Sequence, residues 1–96
     1  MRYKVKVLRK DIKKGVCNNV TRCAVALALN RCFSKNKDYD YAVVDGDSAS
    51  LDFENNLPVY VYLPLKTSRF IEKFDDTEEN PGGRAKLKPF DFTVNV

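Results

Sequence analysis

The sequence predicts a single α+β domain, residues 1–96, with a mostly antiparallel sheet of about five strands and two helices packed on one face. Several short segments alternate apolar and polar residues, which is typical of half-buried strands. Two other segments show the longer apolar period of helices. Because the strands come in runs and the two helices are far apart, we expect the order β-α-β-β-β-α-β and an antiparallel sheet.

The first third of the chain predicts one strand and one helix. Residues 1–8 alternate strictly, and residues 11–15 form a turn or a single helical turn that stops at its glycine. Asn18 or Asn19 is then placed to cap a helix that runs to about Phe33. Since this helix has only a narrow polar stripe, we expect it to lie centrally and to be covered on most sides.

The middle of the chain predicts a hairpin. Tyr39, Tyr41 and Val43 alternate with polar or small residues, as in a strand. The run closes at the Asp-Gly pair of residues 45–46, which is a strong signal for a hairpin turn. Residues 48–53 form the returning strand, which is shorter and weaker.

The last part of the chain predicts a strand, a helix and a final strand. Residues 59–63 alternate aliphatic and tyrosine side chains, which are strand formers on both faces. Pro64 suits the first position of a helix, because the N–H that proline lacks would be unpaired there. Residues 75–86 are a polar loop, and residues 90–96 alternate again. The buried stripe of the second helix consists of Phe70, Ile71 and Phe74.

The composition argues against most enzyme classes. The chain has no histidine, which excludes Ser-His-Asp and Cys-His nucleophiles and HExxH metal sites. Its three cysteines lack the close spacing of a zinc site, so we expect reduced thiols that pack in the interior, and neither metal nor cofactor. The chain has no apolar stretch of about 18 residues that could span a membrane. We therefore expect a non-enzymatic, cytoplasmic protein without a membrane partner.

Charge is unevenly distributed along the chain. Residues 1–37 carry a net charge of +10, which points to an electrostatically steered partner. Nucleic-acid phosphates are one candidate, since cationic side chains follow one another on and after the first strand. A solvated strand face is the other interpretation, because no recognition helix or aromatic RNA-binding motif accompanies them. The candidate binding residues here are Lys4, Lys6, Lys13 and Lys14.

The middle segment is acidic. Residues 38–65 contain six carboxylates and no basic residue. Their spacing is wrong for an EF-hand calcium loop, and Asp45, Gly46 and Asp47 are more typical of a hairpin turn. An acidic face that imitates nucleic-acid phosphate would suit an inhibitor of a DNA-binding protein.

Tyr60 and Tyr62 are a second group of candidate binding residues. They share one face of their strand and would be exposed if the helices cover only the opposite, valine face. Tyrosine is enriched at the centres of protein interfaces. If both faces are covered, the two tyrosines are core residues instead. A small sheet with free edges is also compatible with a homodimer.

The loop at residues 80–84, together with Lys86 and Lys88, is a candidate anion cradle. Its two adjacent glycines lack the Lys-Ser/Thr ending of a phosphate loop. A polar surface loop is therefore the simpler expectation for this segment.

Several segments resemble short uncharacterised proteins common in bacteriophage genomes: the opening strand together with residues 11–15, and residues 23–29, 70–75 and 89–92. These segments are mainly strand and helix core patterns, and none is a motif specific to one family. The resemblance implies a phage origin and an accessory role, and it carries over no catalytic or binding residue.

The leading hypothesis is a non-enzymatic phage accessory protein that binds and inhibits a host component, such as one belonging to a defence system. It would act like an anti-CRISPR protein, by covering a nucleic-acid-binding surface, or it would sequester a nucleotide signal. The alternative is a nucleic-acid-binding protein that uses the basic N-terminal third. The expected partner is thus a host protein or a nucleic acid.

Overall fold

The computed structural model describes the whole chain, Met1 to Val96, and confirms the α+β class. Every predicted strand and both predicted helices are present, and the turn after the first strand is itself helical. None of the helices is long and apolar enough to cross a membrane. In chain order the elements are β1 (Arg2–Val7), α1 (Arg9–Lys14), α2 (Ala24–Phe33), β2 (Tyr39–Asp45), β3 (Ser48–Phe53), β4 (Val59–Tyr62), α3 (Leu65–Asp76), a 3-10 helix (Pro81–Lys86) and β5 (Phe90–Asn95).

The five strands form two antiparallel sheets, which refines the expectation of one sheet with helices on one face. β1 pairs with β5, and β3 lies between β2 and β4. Side chains of α2 occupy one edge of each sheet. Arg31 donates to the carbonyl of Lys6 in β1 at 2.6 Å, and the Asn30 side chain accepts the amide of Ala42 in β2 at 3.1 Å. α2 thus bonds to one strand of each sheet, and β1 and β2 do not pair with each other.

α2 is largely enclosed, as its narrow polar stripe predicts, with six of its ten residues buried. Its start differs from the prediction, since the helix begins at Ala24 and not at a cap on Asn18 or Asn19. The side-chain oxygen of Asn19 instead accepts the amides of Thr21 (3.1 Å) and Arg22 (3.0 Å). This side chain therefore stabilises a separate turn ahead of the helix.

A buried ion pair holds α1 against α2. The Asp11 carboxylate accepts hydrogen bonds from both terminal nitrogens of Arg31, each at 2.7 Å. It also accepts the amide of Leu8 at 2.8 Å, which satisfies a free N–H at the start of α1. The hydrogen bonds that Arg31 donates to the Asp11 carboxylate raise the pKa of the Arg31 guanidinium. The same two side chains thus join α1, α2 and the edge of β1.

One core of 21 buried apolar residues connects the elements. An aromatic row runs through it from one sheet to the other. Its ring centroids are 4.9 Å apart for Tyr3 and Phe33, 5.7 Å for Phe33 and Tyr39, and 5.5 Å for Tyr39 and Phe53. The two sheets are therefore packed as one body. The core also contains the predicted stripe of the second helix, which is Phe70, Ile71 and Phe74.

Two glycines lie where turns were predicted. Gly46 forms the hairpin between β2 and β3 with φ +61°, a conformation that favours glycine. Gly15 ends α1 for a steric reason, since its φ of −63° suits any residue. A Cβ on Gly15 would lie 2.7 Å from the Ala24 amide nitrogen and 2.8 Å from Cζ of Phe74. The three α-helices meet at a point where only glycine fits.

Candidate functional site

Tyr60 and Tyr62 are exposed, so of the two interpretations of β4 the surface one is confirmed. Their side chains are 75% and 88% exposed, whereas Val61 between them is 3% exposed. The valine side of β4 faces the core and the tyrosine side faces solvent. Since neither ring contributes to the core, packing does not account for this pair.

A β-bulge adds a third tyrosine to this face. The pairing of β2 with β3 shifts between Tyr39, which is opposite Phe53, and Tyr41, which is opposite Asp52. The extra residue, Asp40, puts the two tyrosines on opposite sides of the sheet. Tyr39 packs in the aromatic row, while Tyr41 is 41% exposed. The strict alternation expected for this strand is therefore wrong at its start.

The middle strand contributes small side chains to the same face. Ser50 is opposite Val43 on one side and opposite Tyr60 on the other, and Ser48 is opposite Tyr62. These short side chains leave room above the middle of the sheet, so that the tyrosine rings project from its margin. We call this surface the tyrosine face, and its residues are Tyr41, Val43, Asp45, Ser48, Ser50, Asp52, Tyr60 and Tyr62.

Two exposed leucines flank β4. Leu57 is 87% exposed and Leu65 is 65% exposed. Together with Tyr60 and Tyr62, they concentrate large apolar side chains on one short segment at the margin of the sheet. Such a concentration on a small protein is typical of an interaction site.

Carboxylates accompany the tyrosine face. Asp45 pairs with Ser48, and Asp52 pairs with Tyr41, so both acids lie on this side of the sheet. The neighbouring Asp52 carboxylate raises the pKa of the Tyr41 hydroxyl above its ordinary value. No group of acids and cysteines is arranged to hold a metal ion. The other acids of this part lie in the bulge, in the hairpin loop and at the opposite end of the sheet; they are Asp38, Asp40, Asp47 and Glu54.

The two outer edges of the three-stranded sheet differ in whether their backbone groups already have hydrogen-bond partners. On β2, the outward amides of Ala42 and Val44 bond to the Asn30 side chain and to a loop carbonyl. The N–H and C=O groups of successive residues point to opposite sides of a strand. In β4, the N–H and C=O groups of the two valines point toward β3. The backbone groups of Tyr60 and Tyr62 consequently point to the outer edge of β4, which no strand pairs.

The structure separates the four lysines predicted to bind in the N-terminal third. Lys4 and Lys6 are exposed on β1, where Lys4 lies 3.8 Å from Asp91 on the neighbouring strand. These two lysines line a groove of about 180 Å³. Lys13 lines a different groove of about 320 Å³, and Lys14 lines neither. Neither groove is lined by all four lysines.

The largest groove lies between α3 and the segment that joins the 3-10 helix to β5. Its volume is about 610 Å³, and Asp76 is the only carboxylate that lines it. We call it the lysine groove, because its walls carry Lys66, Lys73, Lys86 and Lys88. Its apolar floor consists of Phe70, Leu87, Pro89 and Phe90.

Helical spacing builds one wall of the lysine groove. Lys66, Phe70 and Lys73 occupy positions i, i+4 and i+7 of α3, which place them on one side of the helix. The ring of Phe90 packs against Phe70, with centroids 4.8 Å apart, and joins the two walls. Phe90 is half-buried, so part of its ring borders the groove. Sequence reasoning included Lys86 and Lys88 in an anion cradle but missed the two lysines of α3.

Arg84 anchors the 3-10 helix that replaces most of the predicted loop. Its guanidinium donates to the carbonyls of Lys13 (3.2 Å) and Gly15 (3.1 Å) and to the sulfur of Cys17 (3.0 Å). It also lies 4.7 Å from the ring centroid of Phe74. The Arg84 guanidinium is thus occupied by contacts within the protein. Its inclusion in the candidate anion cradle is therefore wrong.

No protein-family model matches the chain, and no curated protein or solved structure is significantly similar to it. The resemblance to bacteriophage proteins stays a prediction. The two surfaces that bear on function are the tyrosine face and the lysine groove.

Proposed function

We propose that this protein is a non-enzymatic binding protein that covers a basic surface of a host protein with its tyrosine face. The observation that carries the proposal is the exposure of Tyr60 and Tyr62 on a sheet whose segment contains only acidic charges. A phage accessory protein that inhibits a component of a host defence system would act in this way.

Aromatic exposure supports a protein partner. Tyrosine supplies a large contact area with few rotatable bonds, so little side-chain entropy is lost on binding. Tyr60 and Tyr62 are fixed on a strand whose valines are anchored in the core, which presents the rings in a defined direction. Hot spots of this kind contribute most of the binding free energy in many interfaces.

Charge supports a basic surface on that partner. The segment that builds the three-stranded sheet, residues 38–65, has a net charge of −6 and no lysine or arginine. Asp45 and Asp52 lie on the tyrosine face itself. Complementary potentials steer partners together and disfavour partners of like charge. Surfaces that bind nucleic acids are rich in lysine and arginine, so the proposed partner is a nucleic-acid-binding protein.

The test is capture of partners from nuclease-treated bacterial lysate by tagged protein, read by mass spectrometry. The key variant is Tyr60→Thr/Tyr62→Thr, in which threonine preserves the strand preference. The matched control is Lys4→Thr/Lys6→Thr, a change of two exposed strand residues on the other sheet. We expect a basic host protein that the wild type and the control retain and that the tyrosine variant loses.

Two results would contradict this proposal. One is an identical set of captured proteins for all three forms. The other is capture of only a second copy of this chain, with light scattering showing a dimer that the tyrosine variant abolishes. In that case the tyrosine face is a homodimer interface, and the outer edge of β4 would pair with its copy.

The alternative function is nucleic-acid binding through the N-terminal third. It is supported by the grouping of Lys4 and Lys6 on the exposed side of β1. It is weakened by the separation of Lys13 and Lys14 from that pair. Affinity for nucleic acid that disappears in a Lys4→Glu/Lys6→Glu variant, and only there, would establish it.

A further inference from the structure

We propose that the lysine groove binds nucleotides, either free or as units of a single strand, with phosphates on the lysines and a base on the apolar floor. This site lies outside the tyrosine face and goes beyond the function proposed above. It uses the C-terminal part of the chain, residues 66–96, whose six basic and six acidic residues balance along the sequence, whereas the groove itself carries four lysines and one carboxylate.

The lysines of the groove are available to a ligand. The two ion pairs of the protein join Lys4 to Asp91 and Arg31 to Asp11, so none of the groove lysines is paired. All four are exposed and lie on both walls of the groove. Unpaired cations that face each other across an open groove attract a multivalent anion such as a phosphate chain.

The floor of the groove distinguishes a nucleotide from inorganic phosphate. Phe90 is half-buried and lines the groove together with Leu87 and Pro89, and its ring packs against Phe70 and Phe92. Aromatic rings stack with nucleic-acid bases largely independently of sequence. The volume of about 610 Å³ is in the range of small-molecule sites, which is roughly 300–1,000 Å³. The side chain of Asn80 at the margin is free to bond a base edge.

The test is fluorescence anisotropy with a labelled oligothymidylate of about six nucleotides, a length within the range of single-strand sites. Lys73→Glu/Lys88→Glu reverses one charge on each wall, and Phe90→Leu keeps an apolar floor without the aromatic ring. Lys35→Glu/Lys37→Glu is the matched control, because it makes the same charge change in the exposed turn between α2 and β2. Thermal unfolding verifies that each variant is folded.

We expect the groove variant to lose at least about tenfold in affinity, the Phe90→Leu variant to lose several-fold to about tenfold, and the control to change little. Four lysine contacts predict that log affinity falls against log salt with a slope of about −3. Competition separates the two sources of ligand. Displacement by AMP supports a site for free nucleotides, and displacement by unlabelled oligothymidylate alone supports a site for single strands.

Three results would overturn the proposal. The first is no binding at low salt. The second is an equal loss of affinity in the groove variant and in the control, which would mean attraction by net charge alone. The third is competition by inorganic polyphosphate as strong as that by oligothymidylate, with Phe90→Leu unchanged.

Discussion

The tyrosine face and the lysine groove lie on one small body and differ in shape and charge. The tyrosine face is carried by a sheet, projects three tyrosines and has only acidic charges in its segment. The lysine groove is concave, is formed by a helix and an extended segment, and places four lysines around an apolar floor. Although the net charge of the chain is +4, it has one acidic and one basic surface. The acidic tyrosine face suits a basic partner, and the basic lysine groove suits an acidic one.

The two surfaces also share a property, which is that neither contributes its defining side chains to the core. Tyr60 and Tyr62 are largely exposed, and so are the four lysines of the groove. Substitutions of these tyrosines and lysines should leave the fold intact, whereas substitutions between α1 and α2 should affect both surfaces together. A variant of one surface should therefore leave binding at the other surface unchanged, and it can serve as the control for that surface.

The largest effect is expected from Arg31→Met, which leaves the buried Asp11 carboxylate without its cation. We expect the free energy of unfolding to fall by about 3 kcal/mol, near the lower end for broken buried pairs, because 35% of the Arg31 side chain is exposed. Both surfaces should lose binding in parallel. Urea denaturation measures the change, and Arg22→Met, which removes an exposed arginine, is the control. Equal stability of the two variants would show that the pair is not structural.

Single substitutions within the tyrosine face come next. Tyr60→Thr and Tyr62→Thr should each weaken binding of the captured partner by about 2 kcal/mol, as expected for hot-spot residues. Tyr41→Phe removes only a hydroxyl and should change binding by less than about 0.5 kcal/mol. Isothermal titration calorimetry measures these values. Equal effects for all three tyrosines would indicate that the contact is not centred on β4.

The dependence of binding on salt should distinguish the tyrosine face from the lysine groove. For the tyrosine face, we expect the association rate constant to fall about tenfold between roughly 0.05 and 0.5 M salt, with little change in the dissociation rate. Asp45→Asn/Asp52→Asn should reduce this dependence, because it removes the two acids that lie on the face. Surface plasmon resonance measures both rates. A rate that does not depend on salt would remove the electrostatic part of the proposal.

The smallest effect concerns Tyr39, which joins the two sheets in the aromatic row. Burial raises the pKa of its hydroxyl, which donates to Asn30 at 2.6 Å. The folded state therefore holds this proton more tightly than the unfolded state, whose tyrosine titrates near 10. The stabilisation is present below about pH 10 and is lost as the pH rises above it.

The matched experiment compares thermal unfolding of the wild type and of Tyr39→Phe from about pH 8 to 11. The wild type should lose more stability than the variant over the upper part of this range. Parallel curves would show that Tyr39 does not carry the effect.

Local patterns were sufficient to predict the strands and to place Tyr60 and Tyr62 on one face of β4, but not to show that this face is exposed. Alternation depends only on neighbouring residues, so the strand of Tyr60 and Tyr62 and the hairpin at Gly46 could be predicted directly. The bulge at Asp40 could not, because one extra residue in a strand has no signature in the alternation itself. Tyr41 was consequently assigned to the same face as Tyr39.

Long-range contacts determine what the sequence did not show. The two sheets are linked through Asn30 and Arg31 of α2, whose partners lie in strands of different sheets. The lysine groove combines Lys66 and Lys73 with Lys86 and Lys88, which come together only because the 3-10 helix is anchored beside α1. The seven-residue spacing of the first two lysines was the one local signal, and it is common on exposed helices.

The most direct test of the central claim is displacement of nucleic acid from the captured partner. A labelled oligonucleotide bound to that partner is titrated with wild-type protein, with Tyr60→Thr/Tyr62→Thr and with Lys73→Glu/Lys88→Glu, and the free fraction is measured. The account predicts displacement by the wild type and by the groove variant, and none by the tyrosine variant. Displacement that survives the tyrosine substitutions and disappears in the groove variant would contradict it.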